Sequence, residues 1–352
     1  MDILNTNSFV LVTGGIGFIG SHTAYTLLQS GYNVMIIDNF SNTSEINRIG
    51  LDILHEQLQN KTALMIENVD LRNYEKLYNV FQRYNIDSII HFAALKSVGE
   101  SVQKPLLYYE NNIVGSMNLI QCAIEFKVDK FIFSSSATVY GSEIPPFREE
   151  TSKVGMGITN PYGRTKMMVE EILQDVHKVS KLNVVLLRYF NPIGAHPSGL
   201  LGEVPLGTPN NLFPYILDVA EGKRTSLQLF GNDYDTFDGT CIRDFIHVMD
   251  LADGHCQALQ FLDEMKDKKI CQAVNLGTGI GTSVLDLIRT FEEINSVKIP
   301  YTIVERRQGD VSKSYADARK AERLLGWSAK RNLMDMCKDG WNFRQKNKFD
   351  FF

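Results

Sequence analysis

The sequence predicts an α/β protein, a doubly wound parallel sheet followed by a smaller C-terminal α/β substrate domain. Three observations carry this. Short β-branched runs recur between longer segments of helical periodicity up to about residue 190. Those runs are apolar throughout rather than alternating, as strands buried on both faces must be. The first run opens into a glycine-rich turn and then a helix-like segment, the order in which a parallel βαβ unit begins.

Taken in order, the strands are expected at Phe9–Thr13, 33–38, 63–66, 88–92, 130–134 and 183–188. Residues 21–29, closed by Gly31 at a C-cap, read as the first helix. After Phe190 the character changes. Residues 191–211 are rich in proline and glycine and carry no long apolar run, so they read as a loop-rich segment outside the sheet. Helical patterns return at 212–221 and 284–294. The expected division is a nucleotide-binding domain over 1–190 and a second domain over 191–352, with parts of 240–285 returning to the first.

The chain has 352 residues, 44% of them apolar and 22% charged, with a net charge of -5 and no basic block. That is ordinary for a soluble globular protein and implies no nucleic-acid partner. Its five cysteines form no Cys-x-x-Cys pair, and no His/Cys cluster has metal-ligand spacing, so reduced thiols and no metal are expected. The N-terminus lacks the shape of a signal peptide, and no stretch reaches the roughly 20 apolar residues of a membrane span. A cytoplasmic protein with no membrane partner is expected.

Strand Phe9–Thr13 runs into Gly14, Gly17 and Gly20, spaced G-x-x-G-x-x-G. A tight turn, a close backbone approach to a pyrophosphate and close helix packing each leave no room for a Cβ. The helix N-terminus then offers free N–H groups to the phosphates. The second strand ends at Asp38, 18 residues after Gly20. A carboxylate there accepts both ribose hydroxyls of an adenosine and repels a 2′-phosphate. Asn39, Asn42 and Thr43 follow, and the first arginine is Arg48. The cofactor expected is NAD rather than NADP. Asp70, after the third strand, is a candidate for the adenine amino group.

Tyr162 and Lys166 sit four apart behind Pro161, so a helix puts both on one face. A free tyrosine titrates near 10 and is a poor base at neutral pH. A nearby ammonium and a positively charged nicotinamide would lower that value and make the pair a general base. Such a pair alone means little. Its position matters more, because strand 130–134 opens into Ser134-Ser135-Ser136-Ala137-Thr138, a hydroxyl-rich loop where open sheets place ligands.

These segments together resemble the extended short-chain dehydrogenase/reductase family, with its Rossmann sheet. The segments 91–101, 188–197, 230–234, 242–248 and 307–310 are similar to its UDP-glucose 4-epimerases, and the likeness runs from about Phe9 to Trp341. The resemblance implies an NAD-dependent isomerase, working as a homodimer on UDP-galactose and UDP-glucose. It implies Tyr162 as base, Ser136 beside it, and Lys166 on the nicotinamide ribose. It implies that Phe18, Ile19, Asp38, Asn39, Asn42, Thr43, Asp70, Leu71, Phe92, Ala93, Lys96, Asn111 and Phe190 line NAD. Asn191, Asn211, Leu212, Phe230, Arg243, Arg307 and Asp310 would hold the UDP part, with Lys96, Ser136 and Tyr162 also facing substrate. The dimer is expected through helices near 105–126 and 162–179.

Two positions depart from the family pattern. Ile16 stands where a small residue is usual, which is expected to tilt the pyrophosphate loop. Ser314 falls where the pocket meets the sugar's C2 substituent, and its small size predicts that UDP-N-acetylhexosamines are also accepted. Two other readings compete. A nucleotide-sugar dehydratase or decarboxylase would carry an Asp-Glu pair where this chain has Ala137 and Thr138. A non-catalytic NAD-binding protein would be expected to have lost Tyr162 or Lys166.

Overall fold

The computed structural model describes residues 8–209, 211–265, 268–307 and 310–347. Strands β1 (Phe9–Thr13), β2 (Val34–Asp38), β3 (Leu64–Asn68), β4 (Ile86–His91), β5 (Lys130–Ser136) and β6 (Asn183–Tyr189) are joined by Cys271–Leu276 in one seven-stranded sheet. The spatial order is Cys271–Leu276, β6, β5, β4, β1, β2, β3, and every pair is parallel. The order reverses between β1 and β4, which leaves a crevice at their carboxyl ends, where this topology binds ligands.

Successive residues of β1 serve opposite faces, as a two-residue period requires. Val10 and Val12 pack under helix α1 (Phe18–Gln29) and helix Val248–Glu264. Leu11 packs on the other face, against residues of helices Tyr74–Arg83, Gly115–Glu125 and Pro161–Val179. The seventh strand was not expected from the sequence. Its Cys271, Gln272 and Asn275 interrupt the apolar run, and only the pairing with β6 makes it extended.

The helix expected over 105–126 is three pieces. Pro105–Tyr109 and Gly115–Glu125 are α-helical, and Glu110–Val114 between them is a π turn. Such turns insert a residue and often sit at functional sites. Here it turns the Asn112 amide inward, where its Oδ1 accepts from Leu95 N at 2.8 Å and its Nδ2 donates to Thr165 at 3.1 Å.

A separate core gathers helices Leu212–Ala220, Val284–Asn295 and Leu333–Lys346. Around it lie short strand pairs. Phe245–His247 runs beside Asn191–Ile193, Tyr301–Val304 beside Leu227–Phe230, and Ile242–Arg243 between Thr282–Ser283 and Lys313–Ser314. Among the described residues no helix is long and apolar enough to cross a membrane.

Candidate active site

A cleft of about 510 Å³ opens at the carboxyl ends of β1, β2 and β4, and residues 203–209 form part of its wall. Its lining includes Gly14, Gly17, Phe18, Ile19, Gly20, Asp38, Asn39, Asn42, Thr43, Asp70, Leu71, Phe92, Ala93, Lys96, Asn111, Tyr162 and Lys166. The glycines are required by backbone contacts. Gly14 has φ +67° and lies against the Ala93 backbone, while a Cβ on Gly20 would stand 2.2 Å from Gly14 O. Ile16 lies in this turn, at the cleft. Its side chain is fully buried in the core with Val12, Ala24 and Ile36, and its N–H donates to Asp38 at 3.1 Å.

Asp38 is nearly buried and also accepts from Phe40 N at 2.9 Å. Burial raises its pKa against those two donors. No lysine or arginine lines the cleft among residues 37–47. Asp70 is already engaged, by Arg72 through Nε at 2.9 Å and Nη2 at 2.7 Å and by Asn39 at 2.9 Å. The Arg72 guanidinium holds its carboxyl far below the usual range. The Thr43 hydroxyl lines the cleft, is buried and has no partner. Phe190 is not in the lining; it packs with Val139, Tyr140, Phe147 and Ala316.

Helix Pro161–Val179 begins with the Asn160 side chain accepting from Gly163 N at 2.8 Å, and with Pro161 in its first turn. That cap aims Tyr162 and Lys166 at the end of β5. Lys166 is buried and its Nζ donates to Ser134 O at 2.6 Å, with Nζ 4.9 Å from the Phe133 ring centre and 6.0 Å from that of Tyr162. Desolvation drops its pKa to about 7, with Glu170 the group that raises it. Burial pushes Tyr162 up to about 12, and the Ser136 hydroxyl is what lowers it. In the chain alone burial outweighs the lowering expected from Lys166. Its ammonium is directed at the Ser134 carbonyl, and a bound cofactor's positive charge would lower the phenol further.

The residues expected on UDP form a second assembly. Arg307 donates to Asp310 at 2.8 Å and lies 5.7 Å from the Phe230 ring centre. Arg243 donates to Val311 O at 2.8 Å and approaches Asp310 at 3.9 Å. Ser314 is its register partner on the adjacent strand. Gln308 and Gly309 of that motif lie outside the described residues. Asn211 reaches the cleft and precedes helix Leu212–Ala220, whose first residue is Leu212. Asn191 is exposed beside Phe245. Glu203 and Tyr189 are among the lining residues that escaped sequence reasoning. Glu203 accepts from Lys96 at 2.7 Å and from Asn211 at 3.3 Å, and Tyr189 is bonded to the Ser134 hydroxyl. A carboxylate in a loop and a tyrosine ending a strand give no spacing signal.

Residues 11–340 match the family model described as GDP-mannose 4,6 dehydratase. The chain is also 49% identical over 345 residues to UDP-glucose 4-epimerase 2 of Arabidopsis thaliana, which covers 97% of this chain and 96% of that relative. The chain belongs to the UDP-glucose 4-epimerase family. It is 48% identical over 341 residues to the epimerase of Bacillus subtilis, covering 96% of this chain and 97% of that one. The solved UDP-glucose 4-epimerase from Bifidobacterium longum, in complex with NAD+ and UDP, matches with a TM-score of 0.90 at 46% identity, over 96% of this chain and 98% of that one.

Between the dehydratase name and the epimerase relatives, the β5 loop agrees with the epimerases. Ala137 has no acid or base, and the Thr138 hydroxyl is spent on Ser136 at 3.0 Å. The site fits NAD on its own geometry. The turn around Gly14 and Gly20 has no room for side chains, Asp38 stands at the end of β2, and Thr43 has an unused hydroxyl. Among the described residues no group of three His, Cys, Asp or Glu side chains could hold a metal.

Proposed function

We propose that this chain interconverts UDP-galactose and UDP-glucose by inverting C4, as an NAD-dependent isomerase. The observation that carries the reading is Tyr162 and Lys166 on one helix face, meeting the end of β5 in the cleft that holds the glycine turn. When bound, NAD supplies the acceptor for the C4 hydride and then its donor. Tyr162 takes the O4 proton as the 4-keto sugar forms and gives it back on return, and Ser136 orients both. Lys166 holds the nicotinamide ribose and supplies positive charge beside the phenol. The 4-keto hexose turns over while its UDP handle stays gripped, so remote binding energy orients the reacting carbon. Arg243 and Arg307 match a diphosphate, since a guanidinium fork binds phosphate oxygens in pairs, and Phe230 offers a flat face to uracil. Asn191, Asn211, Leu212 and Asp310 complete that grip. Phe190, packed with Val139 and Tyr140, lies outside the cleft lining.

The first test is purified protein with UDP-galactose and no added NAD, followed by UDP-glucose formation. Turnover supports the reading and shows that the cofactor copurifies. Absence of turnover with NAD demonstrably bound sinks it in favour of a non-catalytic NAD-binding protein.

The small Ser314 side chain beside Arg243 supports acceptance of UDP-N-acetylhexosamines as well. Failure to turn over UDP-GlcNAc at saturation sinks that extension, and full activity in Ser314→Tyr removes its stated cause. A homodimer is supported by exposed Leu106, Val114, Met117 and Ile124 along 105–125 and by Met168 and Val179 on helix Pro161–Val179. Sedimentation of a monomer at micromolar concentration sinks it. The five free thiols support a cytoplasmic, reducing location.

A further inference from the structure

Helix Pro161–Val179 buries Glu170 as well as Thr165 and Lys166. Glu170 lies one turn past Lys166, with its side chain 1% exposed. It forms a bidentate pair with Arg188 of β6, whose Nε donates to Oε1 at 2.9 Å and Nη2 to Oε2 at 2.6 Å. The Ser135 hydroxyl of β5 donates to the same carboxylate. Arg188 is itself fixed, donating from Nη1 to Tyr140 OH at 3.1 Å, and that hydroxyl donates to Asn275 at 2.7 Å.

A buried ion pair is a costly way to hold a helix on a sheet, since apolar residues of similar volume often do as well or better. Its location supplies a reason. Lys166 is buried with one hydrogen-bond acceptor, Ser134 O. Ser134, Ser135 and Ser136 meet Lys166, Glu170 and Tyr162 respectively. The Glu170–Ser135 bond is therefore the middle tie of three between helix and strand. The ionisable groups around Lys166 are Tyr162 and Glu170 on its own helix, His91 on β4, and Tyr189 and Arg188 on β6. β5 offers hydroxyls and the Phe133 ring. His91 is neutral, pushed down to about 3 by burial, and burial also pushes Tyr189 upward and keeps it neutral. Glu170 is the one anion in this set.

We propose that Glu170, held by Arg188 and Ser135, is a positioning residue that fixes the place and the charge of the Lys166 ammonium beneath Tyr162. This rests on the role given to Lys166 above. Burial favours loss of the Lys166 proton near neutrality, and Glu170 opposes it.

The test is the pH profile of kcat with UDP-galactose, on holoenzyme with NAD content measured. In Glu170→Gln the alkaline limb should move down by at least one pH unit, kcat at pH 8 should fall at least tenfold, and KM should stay within threefold. Glu170→Gln leaves the Arg188 charge uncompensated and puts folding at risk, so Glu170→Gln with Arg188→Met in one chain removes both charges and should show the same shift. A wild-type profile in the folded variants overturns the proposal, as does a raised KM with the profile intact. Failure of the double variant to fold also overturns it, because the pair would then serve the fold itself. If the wild-type holoenzyme does not turn over, the underlying reading fails instead.

Discussion

The two ends of the site are built differently. The cofactor end comes from consecutive strand ends and the turns that follow them, and its shape is backbone. Gly14 lies against the Ala93 backbone, Gly20 against Gly14 O, and Asp38 is held by two N–H groups. The nucleotide-sugar end is assembled from side chains of separate segments, around residues 211, 230, 243 and 307–314. Its arginines are turned onto their own Asp310, and Arg307 and Phe230 remain exposed, at 58% and 40%. The first end is preorganised, so binding there costs little rearrangement. The second must exchange internal partners for those of the ligand. A redox-neutral isomerisation suits that asymmetry, since the cofactor stays while substrates come and go.

Five variants break or sharpen the comparison. The largest effect is expected at the chemistry common to both ends. Tyr162→Phe should lower kcat by about 10³-fold, within the usual range for general acid–base groups, while absorbance still reports bound NAD. A variant that keeps more than a tenth of wild-type kcat would remove Tyr162 from its role. Next is Gly20→Ala, whose Cβ meets backbone that cannot yield. Copurified NAD should fall by about a hundredfold, which corresponds to roughly 3 kcal/mol, and full NAD content would show that the turn is not preorganised.

Arg243→Met should act at the other end alone. Loss of a charge-assisted bond, worth about 2 kcal/mol, raises KM for UDP-galactose roughly thirtyfold with NAD content unchanged. Lost NAD instead of raised KM would merge the two ends. Arg307→Met should be milder, because its side chain is exposed and screened.

The smallest effect is a slope. His255 packs against Phe92 and Tyr189 of the cofactor end. Burial pushes it down to about 4 from a usual 6.5, so it is neutral when folded. Below pH 6.5 the unfolded chain takes up a proton that the folded chain refuses until about pH 4. Stability is therefore complete above pH 6.5 and lost as pH falls toward 4, by ~1.4 kcal/mol per unit for one ring. Urea unfolding of His255→Phe at pH 6.5 and 5 should show that much less slope than wild type. An equal slope would mean that His255 is charged in the fold.

Much of the cofactor end was legible because its signals are local. A glycine spacing, an acid at a strand end and an i, i+4 pair each specify geometry within a few residues. The six strands named from apolar runs match β1 to β6 to within two residues at most ends. Cys271–Leu276 was missed because pairing with β6, not its own pattern, makes it a strand. The break at Glu110–Val114 was missed because a π turn keeps helical composition.

By itself, the sequence determined six of the sheet's seven strands, the NAD turn, and the residue types at the reacting end, since those follow from periodicity and from what a Cβ or a charge permits locally. Only the tertiary structure decided the electrostatics. It set half-buried Tyr162 beside buried Lys166, so desolvation pushes the phenol up and the ammonium down. It set Glu170 and Arg188 behind them, and it brought Arg243 toward Asp310. The physical reason is that desolvation and Coulomb interactions depend on distances between residues far apart in the chain, which no spacing along the chain encodes.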